Sequence, residues 1–162
     1  MSEKYISKEE LRSFIERALE YKNSINKIYL GKVSKDVSQK IYDLLGIDVQ
    51  KRMHTLNDND IRHILKRHGQ VRENKQGQIM ITINDLLKII EIVSNPDEII
   101  KGSTNDLWQA VKYIRKYDDG IIFVVEVIPA NSGSLIIKTM WKKPSTLTDN
   151  NKVPSSYVQD ER

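Results

Sequence analysis

The chain has 162 residues, 39% of them hydrophobic and 30% charged, with a formal net charge of +4 and a sequence pI of about 9.1. That is enough for one domain with a sizeable core, and the mild basic excess permits a polyanionic partner without demanding one. There is no cysteine, which excludes disulfides, thiolate metal sites and cysteine nucleophiles and fits a reducing cytoplasm.

The first helix is predicted over Lys8–Lys22. Ser7 stands three residues before Glu10, the spacing of a capping box, and Leu11, Phe14, Ile15, Ala18 and Leu19 recur at helical spacing. The charged N-terminal stretch does not resemble a signal peptide. Ile25, Ile28 and Leu30 alternate, as in a short strand or an extended connector. "SKDVSQKIYDLLG" predicts a second helix with Val37, Ile41, Leu44 and Leu45 on one face and Gly46 as its stop. "IDVQKRMHTL" then runs extended into a third helix, "DIRHILKRHG".

After Gly69 a polar, turn-like stretch leads to a short alternating "IMITI". Asn84 is expected to cap a helix, "DLLKIIEIVS", that ends before Pro96. From there the apolar period changes from about 3.6 to 2. Three strands are predicted near Leu107–Tyr117, Ile121–Pro129 and Ser134–Lys143, joined by the hairpin signals "DDG" and "ANSG". The longest apolar run, "GIIFVVEVIP", is of strand length and is interrupted by Glu126, so no membrane span is expected. The resulting class is α+β: N-terminal helices packed on a curved antiparallel sheet that contains a three-stranded C-terminal meander. Residues 1–28 form an N-terminal helix and connector, 29–146 the main domain, and 147–162 a polar segment expected to be a disordered tail.

The third helix concentrates the chemistry, with His63 and His68 two of the chain's three histidines. At about 100° per residue, Ile61, Ile64 and Leu65 form one stripe with His68 in its middle, whereas His63 lies about 140° away beside Lys66 and Arg67. The pair therefore does not face one metal ion. His68 sits in the last turn, where the helix dipole favours a cation. The plain alternatives are a capping histidine at 68 and a solvated imidazole at 63. Between Lys51 and Lys75 the basic residues Lys51, Arg52, Arg62, Lys66, Arg67, Arg72 and Lys75 outnumber Asp58, Asp60 and Glu73, a field suited to a polyanion. Aromatic rings able to stack on bases lie elsewhere, at Tyr113, Tyr117 and Trp141.

The order of "YLGKVSKDVSQKIYDLLGIDV", "DIRHILKRHG", "ITINDLLKIIEIVSNPDEI" and a closing "LIIKTMWKKPS" resembles the phage-associated nuclease-like domains of the barnase–EndoU–colicin–RelE group, over about Tyr29 to Ser145. The resemblance implies a small cytoplasmic endoribonuclease of phage or prophage origin, without metal or other cofactor and often a toxin. It also implies RNA as partner and an inhibitor, phage or host protein as a further one, with no membrane. RNA cleavage of this kind needs a base for the 2′-OH, an acid for the departing 5′-oxygen and positive charge for the phosphorane. Histidine suits the first two, and Lys or Arg the third. DNA lacks the 2′-OH.

His68 and His63 match the helix positions of the resemblance, and Thr139 matches its recurrent hydroxyl. Period 2 puts Lys138 on the opposite face from Thr139, which favours Thr139. Tyr113 and Arg115 share a face and are candidates to reach phosphate; Arg62, Lys66, Arg67 and Lys142 are candidates to bind the nucleic acid. His68 is expected at a cleft near Thr139, with Arg62 or Lys66 at the rim. Glu126, in an apolar strand, needs a partner and is expected to be salt-bridged. The alternative readings are a non-catalytic nucleic-acid- or protein-binding phage module on the same scaffold, or a structural protein whose basic face docks on a partner.

Overall fold

Helix α1 (Lys8–Glu20) begins where the capping box places it: the Ser7 hydroxyl accepts from the Glu10 amide and the Glu10 carboxylate accepts from the Ser7 amide. The computed structural model describes residues 4–70, 77–102 and 108–145. Strand β1 (Lys27–Lys32) is followed by α2 (Lys35–Leu45), which is capped by Ser34 and stopped by Gly46 at φ 73°. The buried face of α2 is Val37, Ser38 and Ile41, while Leu44, expected there, is exposed. Strand β2 (Met53–Asn57) runs straight into α3 (Asp58–His68). Then come α4 (Ile83–Leu86), α5 (Ile89–Ser94), β3 (Glu98–Lys101), β4 (Gln109–Tyr117), β5 (Gly120–Ile128) and β6 (Ser134–Lys143). No described helix is long and apolar enough to cross a membrane. The expected tail lies outside the described residues.

The class is α+β. The strand order is β1-β2-β6-β5-β4-β3, with the meander β4–β5–β6 antiparallel throughout. The sheet is mixed rather than wholly antiparallel, because β2 pairs parallel with β6 from Met53↔Ser134 to Leu56↔Ile137. Strands so far apart in sequence leave no turn signal between them. Two further expectations are corrected. Thr82, not Asn84, caps the helix after "IMITI", because Asp85 three residues on closes a capping box with it; Leu87 and Lys88 then separate α4 from α5. "IMITI" itself forms no strand, only a bridge between Ile79 and Lys142.

One face of the sheet is covered by helices. Leu11 and Ile15 of α1, Ile41 of α2, and Ile61 and Ile64 of α3 join Leu56, Val111, Val124 and Ile137 of the sheet in a single apolar cluster. Inside this dry layer three polar side chains meet, each 0% exposed: His54 of β2, Tyr113 of β4 and Glu126 of β5. His54 Nδ1 lies 2.8 Å from Glu126 Oε2, and the Tyr113 hydroxyl donates to Glu126 Oε1 at 2.6 Å. The carboxyl group in the apolar strand is therefore partnered on both oxygens, by His54 and by Tyr113, as a buried polar group requires.

The β4–β5 hairpin closes at Gly120, whose φ is 151°; a Cβ there would stand 2.9 Å from the Lys143 carbonyl oxygen. Gly120→Ala should therefore lower stability by about 1–3 kcal/mol, seen as an earlier midpoint in chemical denaturation.

Candidate active site

The β5–β6 ladder pairs Val125 with Thr139 but Glu126 with Ile137, which makes Lys138 the extra residue of a β-bulge. Strict alternation would place Lys138 and Thr139 on opposite faces. The bulge overturns that expectation, and both side chains line one cleft of about 580 Å³ between α3 and β6. From α3 the cleft receives Asn59, Asp60, Arg62, His63, Lys66 and Arg67. These residues are delivered by the polar side of the helix, since Ile61 and Ile64 are drawn into the core.

At the back of the cleft Asp60 is only 5% exposed. Its carboxylate lies 3.3 Å from Lys138 Nζ and accepts from the Asn57 amide at 3.3 Å. Burial raises the Asp60 pKa, and the ammonium of Lys138 opposes that rise. His63, one turn further along, is exposed. Its pKa is lowered, first by partial desolvation and then by the Arg67 charge, with Asp60 acting in the other sense. Its imidazole is thus kept neutral below the usual histidine range. The buried Thr139 Oγ1 has no hydrogen-bond partner among the described residues. Lys66 and Arg67 are both exposed. A neutral imidazole, an unengaged hydroxyl, a braced ammonium and two exposed cations form a set suited to a phosphodiester.

The family model described as phage-Barnase-EndoU-ColicinE5/D-RelE like nuclease3 (PBECR3) matches residues 31–150. The chain belongs to this nuclease family. Every residue lining the α3–β6 cleft falls within the matched span, and α1 precedes it. No curated protein and no solved structure matches the chain.

In this PBECR3 chain the candidates named from sequence separate into two groups. His63, Thr139, Arg62, Lys66 and Arg67 come together in the cleft. The expectation that His68 lies there is corrected: it is 6% exposed, packs its ring 6.3 Å from that of Trp141 and is not among the cleft residues. Its place in the apolar stripe carries it inward. Arg62 lines the cleft, but its guanidinium is engaged in donating to the carbonyls of Ala18, Tyr21 and Ser24 at the end of α1.

The remaining three are held elsewhere. Tyr113 is in the core on Glu126. Arg115 donates to the Asn95 carbonyl and lies 3.4 Å from the Glu91 carboxylate. Lys142, expected to bind nucleic acid, is 3% exposed and sits 2.7 Å from Asp119 and 3.1 Å from Asp85. Burial pulls the Lys142 pKa down, but its bonds to Asp119 and Asp85 outweigh that and raise it. Its charge is spent inside the fold. Sequence reasoning passed over Lys138 and Asp60 in the cleft, because a bulge leaves no mark in the periodicity and a first-turn aspartate reads as dipole compensation.

Proposed function

We propose that the chain is a metal-independent endoribonuclease acting in the α3–β6 cleft. The observation that carries this reading is the convergence of His63, Thr139, Lys138 and Arg67 around Asp60, in a member of a nuclease family. Neutral His63 takes the proton of a ribose 2′-OH, and the resulting oxygen attacks the adjacent phosphorus. The bond to the 5′-oxygen breaks, and that oxygen takes up a proton from solvent water, while the proton held by His63 is returned to solvent. Lys138 and Arg67 balance the charge that grows on the phosphoryl oxygens, and the Thr139 hydroxyl donates to one of them. Asp60 holds the Lys138 ammonium at the cleft wall and so acts as a positioning residue. The products are a 2′,3′-cyclic phosphate and a 5′-hydroxyl. Because the nucleophile is the substrate's own 2′-OH, RNA is cut and DNA is not.

The test is to incubate the purified chain with an RNA and a DNA of one sequence in the presence of EDTA. The expected result is cleavage of the RNA alone, leaving cyclic phosphate ends. An RNA that stays intact across roughly pH 5 to 9, the range histidine serves, would defeat the enzymatic reading and favour a non-catalytic binding module. Arg67→Ala should weaken RNA binding and reduce the slope of log affinity against log salt by about 1, as loss of one phosphate contact does.

A further inference from the structure

In the first turn of α3, Asn59 stands between two clamped neighbours. Asp58 is 2% exposed and accepts from the Ser24 hydroxyl at 2.6 Å and from the Asn26 backbone amide at 3.0 Å. Asp60 is held against Lys138. The backbone that carries Asn59 is therefore fixed on both sides. Its own side chain is exposed, lines the cleft and has no hydrogen-bond partner among the described residues. A rigid support under an unengaged polar group is what precise recognition requires.

The rest of the cleft is poorly equipped to read a base. Among the described residues it holds no aromatic ring beyond the His63 imidazole, so stacking cannot select. The Arg62 guanidinium is spent on carbonyls at the end of α1, and Asp60 is spent on Lys138. Lys66 and Arg67 only donate. The Asn59 carboxamide alone sets an acceptor beside a donor in one plane. That pair fits adenine, whose N6 amino group donates and whose N7 accepts; guanine presents two acceptors on the same edge, and pyrimidines have no N7.

Position fixes which base is met. Asn59, His63 and Arg67 follow one another every four residues and so form one row along the helix, about 6 Å per step. The row reads carboxamide, imidazole, guanidinium. A ribonucleotide carries its base on C1′, its nucleophilic hydroxyl on C2′ and the phosphate to be attacked on C3′, which is the same order. We propose that Asn59 is the specificity residue of the cleft and selects adenine at the nucleotide whose 2′-OH attacks. This assignment rests on the ribonuclease reading and adds to it the identity of the base.

The test uses the dinucleotides ApG, CpG, GpG and UpG, with kcat/KM measured for each. The wild-type chain should cut ApG about 10-fold or more better than the others, the scale of one bidentate base contact. Asn59→Ala should erase that ratio and keep the melting temperature, since the side chain is exposed. Replacing adenosine by 7-deazaadenosine, which lacks N7, should slow the wild-type chain and make no difference to Asn59→Ala. Equal cleavage of the four dinucleotides, a preference for another base, or a preference that survives Asn59→Ala would overturn the role of Asn59 while the ribonuclease reading stands. Failure of the wild-type chain to cut any of the four, or any longer RNA, would overturn the ribonuclease reading and this assignment with it.

Discussion

Replacing Glu126 by leucine should destabilise the fold by about 2–6 kcal/mol, because two buried partners are each left unsatisfied at about 1–3 kcal/mol, measured as a lower midpoint of chemical denaturation. The carboxylate serves two partners at once, His54 at 2.8 Å and the Tyr113 hydroxyl at 2.6 Å, and all three side chains are fully buried. Leucine would fill the volume but strand both partners in an apolar layer. The cost comes from those orphans, so replacing all three together, with His54→Leu and Tyr113→Phe, should recover much of the loss. An unchanged midpoint in Glu126→Leu alone would mean that His54 and Tyr113 find other partners in the core.

The same triad sets an alkaline limit. Burial, and then the neighbouring Glu126 charge and hydrogen bond, push the Tyr113 phenol well above its ordinary value of 10.0. Tyr117 is moved in the same direction, first by burial and then by its bond to Glu91. A raised pKa means that the fold favours the neutral phenol. The associated stability is complete below pH 10.0 and is lost as the pH climbs from there toward the folded-state values. Tyr113→Phe should remove part of that alkaline loss, although it costs stability at neutral pH by leaving Glu126 short of a donor.

What could be foreseen from the chain follows from the range of the interactions involved. The Ser7 capping box, the Gly46 stop and the β4–β5–β6 hairpins are written within a few residues, and each stands where its local signal placed it. The parallel β2–β6 pair and the His54–Glu126 contact join distant segments, and no local pattern specifies them. Glu126 in an apolar strand needs a partner, and His54 on the distant β2 supplies it. Along α3 the helical wheel separates His63 from His68, one facing out and the other facing in. What it could not supply was where the sheet lies. The bulge at Lys138 turns two consecutive side chains toward α3, and on that turn depends which histidine shares a cleft with Thr139.

His63→Ala should therefore lower RNA cleavage by about 100-fold or more, the usual scale for losing a general base, while leaving the melting temperature nearly unchanged because the residue is exposed. His68→Ala should do the reverse. It removes a buried ring packed on Trp141 and so costs stability, but cleavage per folded molecule should persist. The pH profile separates a true base from a residue that merely supports the cleft. A base works in its deprotonated form, and His63 titrates below the ordinary 6.5 because desolvation and Arg67 disfavour its cation. Cleavage should accordingly hold as the pH falls past 6.5 and decline only through the lowered value. Removing the Arg67 charge lifts one of those constraints, so Arg67→Ala should move the acid limb to higher pH as well as weakening binding. An acid limb that ignores Arg67, or a His68→Ala variant that is folded but inactive, would return the catalytic role to the buried histidine and require the cleft to open toward Trp141.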